Sequence, residues 1–75
     1  MYKRMLGETI YRLRKEKRLS QSELGKLLGI GSKAVNKWES YKECPCINLL
    51  PLLVQLLDDT EGDLFLYYYD FLEVA

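Results

Sequence analysis

Histidine is absent from this 75-residue chain, cysteine and proline occur twice each, and no apolar run approaches the ~20 residues of a membrane span. Without histidine the commonest general base is missing, and Cys44 and Cys46, in the triplet CPC around Pro45, have no base partner for nucleophilic work. Two thiols alone do not complete a zinc site within one chain, and they stand too close in sequence for an easy disulfide. Free thiols in a loop are the expectation, with an intersubunit metal or redox site as the other reading. No glycine-rich phosphate loop is present either. The expectation is therefore a chain that is not an enzyme and needs no cofactor. The start, MYKRMLGETIYRLRK, holds no continuous hydrophobic stretch of the signal-peptide kind, so a cytoplasmic chain without membrane contact is expected.

Basic residues are missing from the whole second half. All 11 Lys and Arg lie in residues 1–42 beside four acids, Glu8, Glu16, Glu23 and Glu39, while residues 43–75 hold the other seven acids. The formal charge is zero, yet the chain is +7 in front and −7 behind. That asymmetry predicts a basic face toward phosphate and an acidic part directed elsewhere. At 75 residues there is room for one core of four or five helices and no separate catalytic domain.

Residues 20–39, SQSELGKLLGIGSKAVNKWE, carry the strongest local signal. Ser20 followed by Glu23 fits a capping box, and Leu19 and Leu24 stand at the spacing of a hydrophobic staple. Leu24, Leu27 and Leu28 line one helical face, and Gly29 supplies a residue free to enter the left-handed region at the helix end. After Ile30, either Gly31 or Ser32 caps a second helix, in which Ala34, Val35 and Trp38 share one side. Its other side carries Ser32, Lys33, Asn36 and Lys37, with no carboxylate before Glu39. Two short amphipathic helices joined by a glycine turn read as a helix-turn-helix, and hydroxyl, amide and cationic groups suit base edges and phosphates.

Around this unit, Leu6, Ile10 and Leu13 with Met5 beside them predict a first helix from about Met5 to Lys17. A fourth helix is expected from Asn48, as cap, to Leu57, with Pro51 tolerated in its first turn and Leu50, Leu53, Val54 and Leu57 closing the core. Beyond Asp58, a fifth helix starting at Thr60 is preferred, with an aromatic-rich strand as the alternative. Residues 1–58 are thus expected to form the helix-turn-helix domain and 59–75 an acidic, aromatic extension. Phe65, Tyr67, Tyr68, Tyr69, Phe71 and Leu72, with Leu66 and Val74, exceed the apolar surface that so small a domain hides. They are the expected contacts with a partner or second copy, unless Leu64, Tyr68 and Phe71 pack on the first helix.

From Leu6 to about Leu57 the chain resembles the Cro/C1-type (XRE-like) helix-turn-helix regulators of bacteria and phages. Their pattern is close to LRxxxGLSQxELAxxLGVSxxxISxWExGxxxP, and this sequence gives LRKEKRLSQSELGKLLGIGSKAVNKWESYKECP. The resemblance implies an all-α, lambda-repressor-like bundle of four or five helices, with Gln21 contacting phosphate and Ser32, Lys33, Asn36 and Lys37 facing the groove. Lys42 and Lys26 are the expected further backbone contacts. It also implies an ion pair between Arg14 and Glu39, and dimerisation through the C-terminal region, which sets recognition helices ~34 Å apart on a double-stranded operator. Arg18 and Tyr41 replace glycines usual in the family; at Arg18 the left-handed region costs ~1 kcal/mol. Tyr41 is expected to hold the loop backbone further from phosphate. Two function classes follow: a sequence-specific transcription regulator binding as a homodimer, or a modulator or antirepressor gripping a partner repressor through its acidic aromatic half. An antitoxin-like protein would combine the two.

Overall fold

A computed structural model describes residues 2–60, 62–64 and 66. Four α-helices occupy them: α1 (Tyr2–Glu16), α2 (Gln21–Leu27), α3 (Ser32–Glu39) and α4 (Leu50–Leu57), the last entered through a 3-10 turn at Ile47–Leu49. No strand occurs among the described residues, and the fold is all-α. No described helix is long and apolar enough to cross a membrane.

The apolar stripes converge on one core. Leu6, Ile10 and Leu13 of α1 meet Leu24 and Leu28, Val35 and Trp38, and Leu50, Leu53 and Leu57 of α4. Leu64, beyond α4, enters the same core. Leu27 does not: it is 54% exposed. A seven-residue helix offers its neighbours one stripe, and Leu24 and Leu28, one turn apart, make it here.

Local chemistry sets the helix ends. The Ser20 hydroxyl accepts the Glu23 N–H at 2.9 Å while the Glu23 carboxylate accepts the Ser20 N–H at 2.9 Å, so two otherwise orphaned donors are satisfied reciprocally. At their C-termini all four helices close the same way. A left-handed residue follows, Arg18, Gly29, Tyr41 and Asp58 in turn, with φ between 51° and 75°. The residue after each returns its N–H to the carbonyl five positions back, as from Leu19 to Arg14 and from Lys42 to Lys37. These are Schellman closures, and three of the four do without glycine.

Two sequence expectations are corrected. Asn48 does not cap α4; it lies inside the 3-10 turn, and Leu49 occupies the cap position without a side-chain bond. Thr60 does not cap the following segment, in which Asp63, Leu64 and Leu66 are helical. The buried Asp59 carboxylate does so instead, accepting the N–H of Asp63 at 3.3 Å and of Leu64 at 2.9 Å. Phe65, Tyr67, Tyr68, Tyr69, Phe71 and Leu72 lie outside the described residues.

Candidate nucleic-acid interface

Two close approaches aim α3. A Cβ on Gly25 would stand 2.8 Å from the carbonyl carbon and oxygen of Gly31, so only glycine lets α2 press against the start of α3. A Cβ on Gly7 would stand 2.3 Å from the Trp38 carbonyl oxygen and 2.8 Å from the Tyr41 ring, so α1 meets the end of α3 through a bare backbone. Between these contacts Val35 and Trp38 are 0% and 4% exposed and root α3 in the core, while Ser32, Lys33, Asn36 and Lys37 are all exposed.

Gly31 is the cap of α3, with extended backbone and no side-chain bond, which leaves Ser32 as the first helical residue, exposed. Lys33 and Lys42 make no ion pair among the described residues, whereas Lys37 lies 3.4 Å from Glu43, an exposed pair on the chain leaving α3. Exposed pairs of this kind contribute at most about 1 kcal/mol and yield readily to a competing anion.

Arg14 and Glu39 meet behind this face. Arg14 donates from Nε to Glu39 Oε2 at 2.7 Å and from Nη2 to Oε1 at 2.9 Å, and its Nη1 bonds the Leu19 carbonyl at 2.7 Å. Both side chains are nearly buried, and the Glu39 hydrogen bonds hold the guanidinium above its usual pKa. The Tyr11 ring centroid lies 5.4 Å from Arg14 Cζ. Glu39 Oε1 also accepts Gln21 Nε2 at 3.0 Å, and Gln21 Oε1 accepts Asn36 Nδ2 at 3.5 Å. Four polar side chains from α1, α2 and α3 thus form one chain of hydrogen bonds.

An open cleft of about 750 Å³ lies where α1 ends and α2 and α3 begin, lined among others by Lys15, Arg18, Gln21, Ser22 and Ser32. Sequence reasoning placed Gln21 and Ser32 there but missed Lys15, Arg18 and Ser22. Arg18 drew notice only as a replaced glycine, although it both makes the left-handed turn after α1 and lines the cleft. Tyr41, in the other replaced glycine position, lays its ring on Gly7 and donates a long bond of 3.4 Å to Glu8.

The family model described as Helix-turn-helix matches residues 10–64, most of the chain, including α2, α3 and the Arg14–Glu39 pair. The chain belongs to the Cro/C1-type helix-turn-helix family. Members of that family are DNA-binding regulators, generally without enzymatic activity, and this protein carries their DNA-binding domain. No curated protein and no solved structure matches it significantly.

Proposed function

We propose that this Cro/C1-type protein is a sequence-specific, repressor-like transcription regulator that seats α3 in the major groove of a double-stranded operator and binds as a homodimer. The observation that carries the reading is the division of α3: Val35 and Trp38 are locked into the core while Ser32, Lys33, Asn36 and Lys37 are exposed. Lys33 and Lys37 supply donors for guanine O6 and N7, Asn36 an amide edge, and Ser32 a permissive hydroxyl. Gln21 and Lys42, with Lys15 and Arg18 on the rim of the cleft, take the phosphates that fix register.

Charge pairing supports it. Arg4, Arg12, Arg14, Lys17 and Lys37 are engaged by carboxylates, whereas Lys15, Arg18, Lys26, Lys33 and Lys42 make no ion pair among the described residues. If the four of these not assigned to bases, Lys15, Arg18, Lys26 and Lys42, neutralise phosphates, the slope of log affinity against log salt is about −3.6 per protomer. Selection from a random duplex library, followed by titrations from low to high salt, tests the reading. Lys33→Ala should weaken binding with its melting temperature unchanged. A protein that selects no sequence and shows no salt-dependent binding overturns the proposal and favours capture of a partner repressor by the acidic aromatic half.

A further inference from the structure

Gln21 stands where α1, α2 and α3 meet, and its amide is oriented by charge. Arg14 engages both oxygens of Glu39, and a carboxylate has no donor to offer, so the side of Gln21 turned to Glu39 is its Nε2, at 3.0 Å. The Gln21 oxygen is thereby turned to Asn36, whose matching group is Nδ2 rather than Oδ1, at 3.5 Å. The buried guanidinium at one end sets the polarity of two successive amides ending on the exposed face of α3. Asn36 is left with its Oδ1 acceptor and one Nδ2 hydrogen to offer a ligand. An acceptor beside a donor complements the major-groove edge of adenine, which presents N6–H and N7; guanine presents two acceptors there.

We infer that Asn36 reads adenine and that Gln21, held by Arg14 and Glu39, is the positioning residue that keeps its amide in register. This rests on the reading of α3 as the groove helix and adds a specificity role for Gln21 distinct from any phosphate contact. Loss of the Gln21 oxygen frees the Asn36 amide to turn over, which exchanges its donor and acceptor and breaks the match to adenine.

The test is duplex selection with the wild type, Asn36→Ala, Asn36→Asp, Gln21→Met and the double variant Gln21→Met/Asn36→Ala, each checked for an unchanged helical circular-dichroism spectrum. Asn36→Ala should lose an adenine preference of roughly 5- to 100-fold at one position of each half-site, and Asn36→Asp should move that preference toward cytosine, whose N4 donates. Gln21→Met should lose most of the adenine preference at the same position while leaving the other positions unchanged, and the double variant should show no greater loss at that position than Asn36→Ala alone. A Gln21→Met protein that binds all sequences more weakly but keeps the adenine preference overturns the inference. So does an Asn36→Ala protein that selects the wild-type site. Neither result touches the proposed function, which fails only if the wild type selects nothing, and this inference then falls with it.

Discussion

Replacing Glu39 by Gln changes one atom in a side chain that is 6% exposed and accepts three hydrogen bonds, two from Arg14 and one from Gln21. The substitution preserves volume, so no cavity term enters, and its whole effect is electrostatic. An amide has one acceptor oxygen in place of two, and its NH2 is then forced against either Arg14 or Gln21, donor against donor. Arg14 keeps the Leu19 carbonyl and the Tyr11 ring face, but its charge loses its one ion-pair partner among the described residues while its side chain stays 7% exposed. Removing one partner of a buried pair costs 3–5 kcal/mol, and the contacts Arg14 retains favour the lower end, about 3 kcal/mol. For a domain of this size that is a drop of roughly 12–24 °C in melting temperature. Thermal and urea melts of Glu39→Gln, followed by circular dichroism, measure it. Arg14→Met/Glu39→Met, in which both charges leave together, should recover to within about 1 kcal/mol of the wild type. A Glu39→Gln protein melting within 4 °C of the wild type refutes the reasoning, because the pair would then be as weak as a solvated one.

Gly7→Ala should destabilise by about 1–3 kcal/mol in urea melts, since its Cβ would collide with the Trp38 backbone carbonyl rather than with a flexible side chain. Arg18→Gly should raise the melting temperature by about 4–8 °C by relieving a left-handed side chain, whereas Tyr41→Gly should show no such gain because the ring packed on Gly7 is lost. The Glu23 carboxyl is held below its usual pKa by the Ser20 N–H first and the Ser20 hydroxyl second. Its contribution is therefore present above the unfolded value near ~4.3 and is lost as pH falls through the lower folded value, so urea midpoints of Glu23→Gln should converge on the wild type in acid. Glu43→Gln, which releases Lys37, should tighten DNA binding a few-fold with the fold unchanged, as read by fluorescence anisotropy.

What the sequence disclosed was chiefly what is local. Ser20 and Glu23 are three residues apart and find each other within one turn of helix, so the box at the start of α2 could be read letter by letter. Spacing alone gave no hint that Arg14 would meet Glu39, 25 residues away; that expectation came through the resemblance to relatives. The cap after α4 escaped because Asp58, Asp59 and Thr60 all suit such a role by type. The fold assigns Asp58 to the left-handed turn and to Lys17, and only Asp59 points back to the next segment. Asn48 misled for the opposite reason: a good capping residue has no helix to cap when a 3-10 turn precedes it. Gln21 and Asn36 were recognised as polar and outward, but the polarity of their amides is set by a buried cation on another helix, which no window of sequence contains.

The split of charge between the two halves of the chain takes on a different meaning in three dimensions. Read linearly, the acids after residue 42 form a block to be presented elsewhere. In the folded protein Glu43 reaches Lys37, Asp58 pairs with Lys17, Asp63 lies 3.5 Å from Arg12, and Asp59 caps the segment that carries Leu64 into the core. Every acid of that half among the described residues thus has a partner inside the molecule. This pairing neutralises cations on and just after α1 and at the C-terminal end of α3, while Lys15, Arg18 and Lys33 make no ion pair among the described residues; Glu23, which also lines the cleft, has its carboxylate on the Ser20 N–H. Within a Debye length of about 8 Å it is this local surplus, and not the sum over the chain, that a phosphate experiences. On the proposed function, zero net charge would suppress nonspecific attraction at long range without emptying the face that α3 presents, and would place more of the discrimination on Asn36, Lys33 and Lys37.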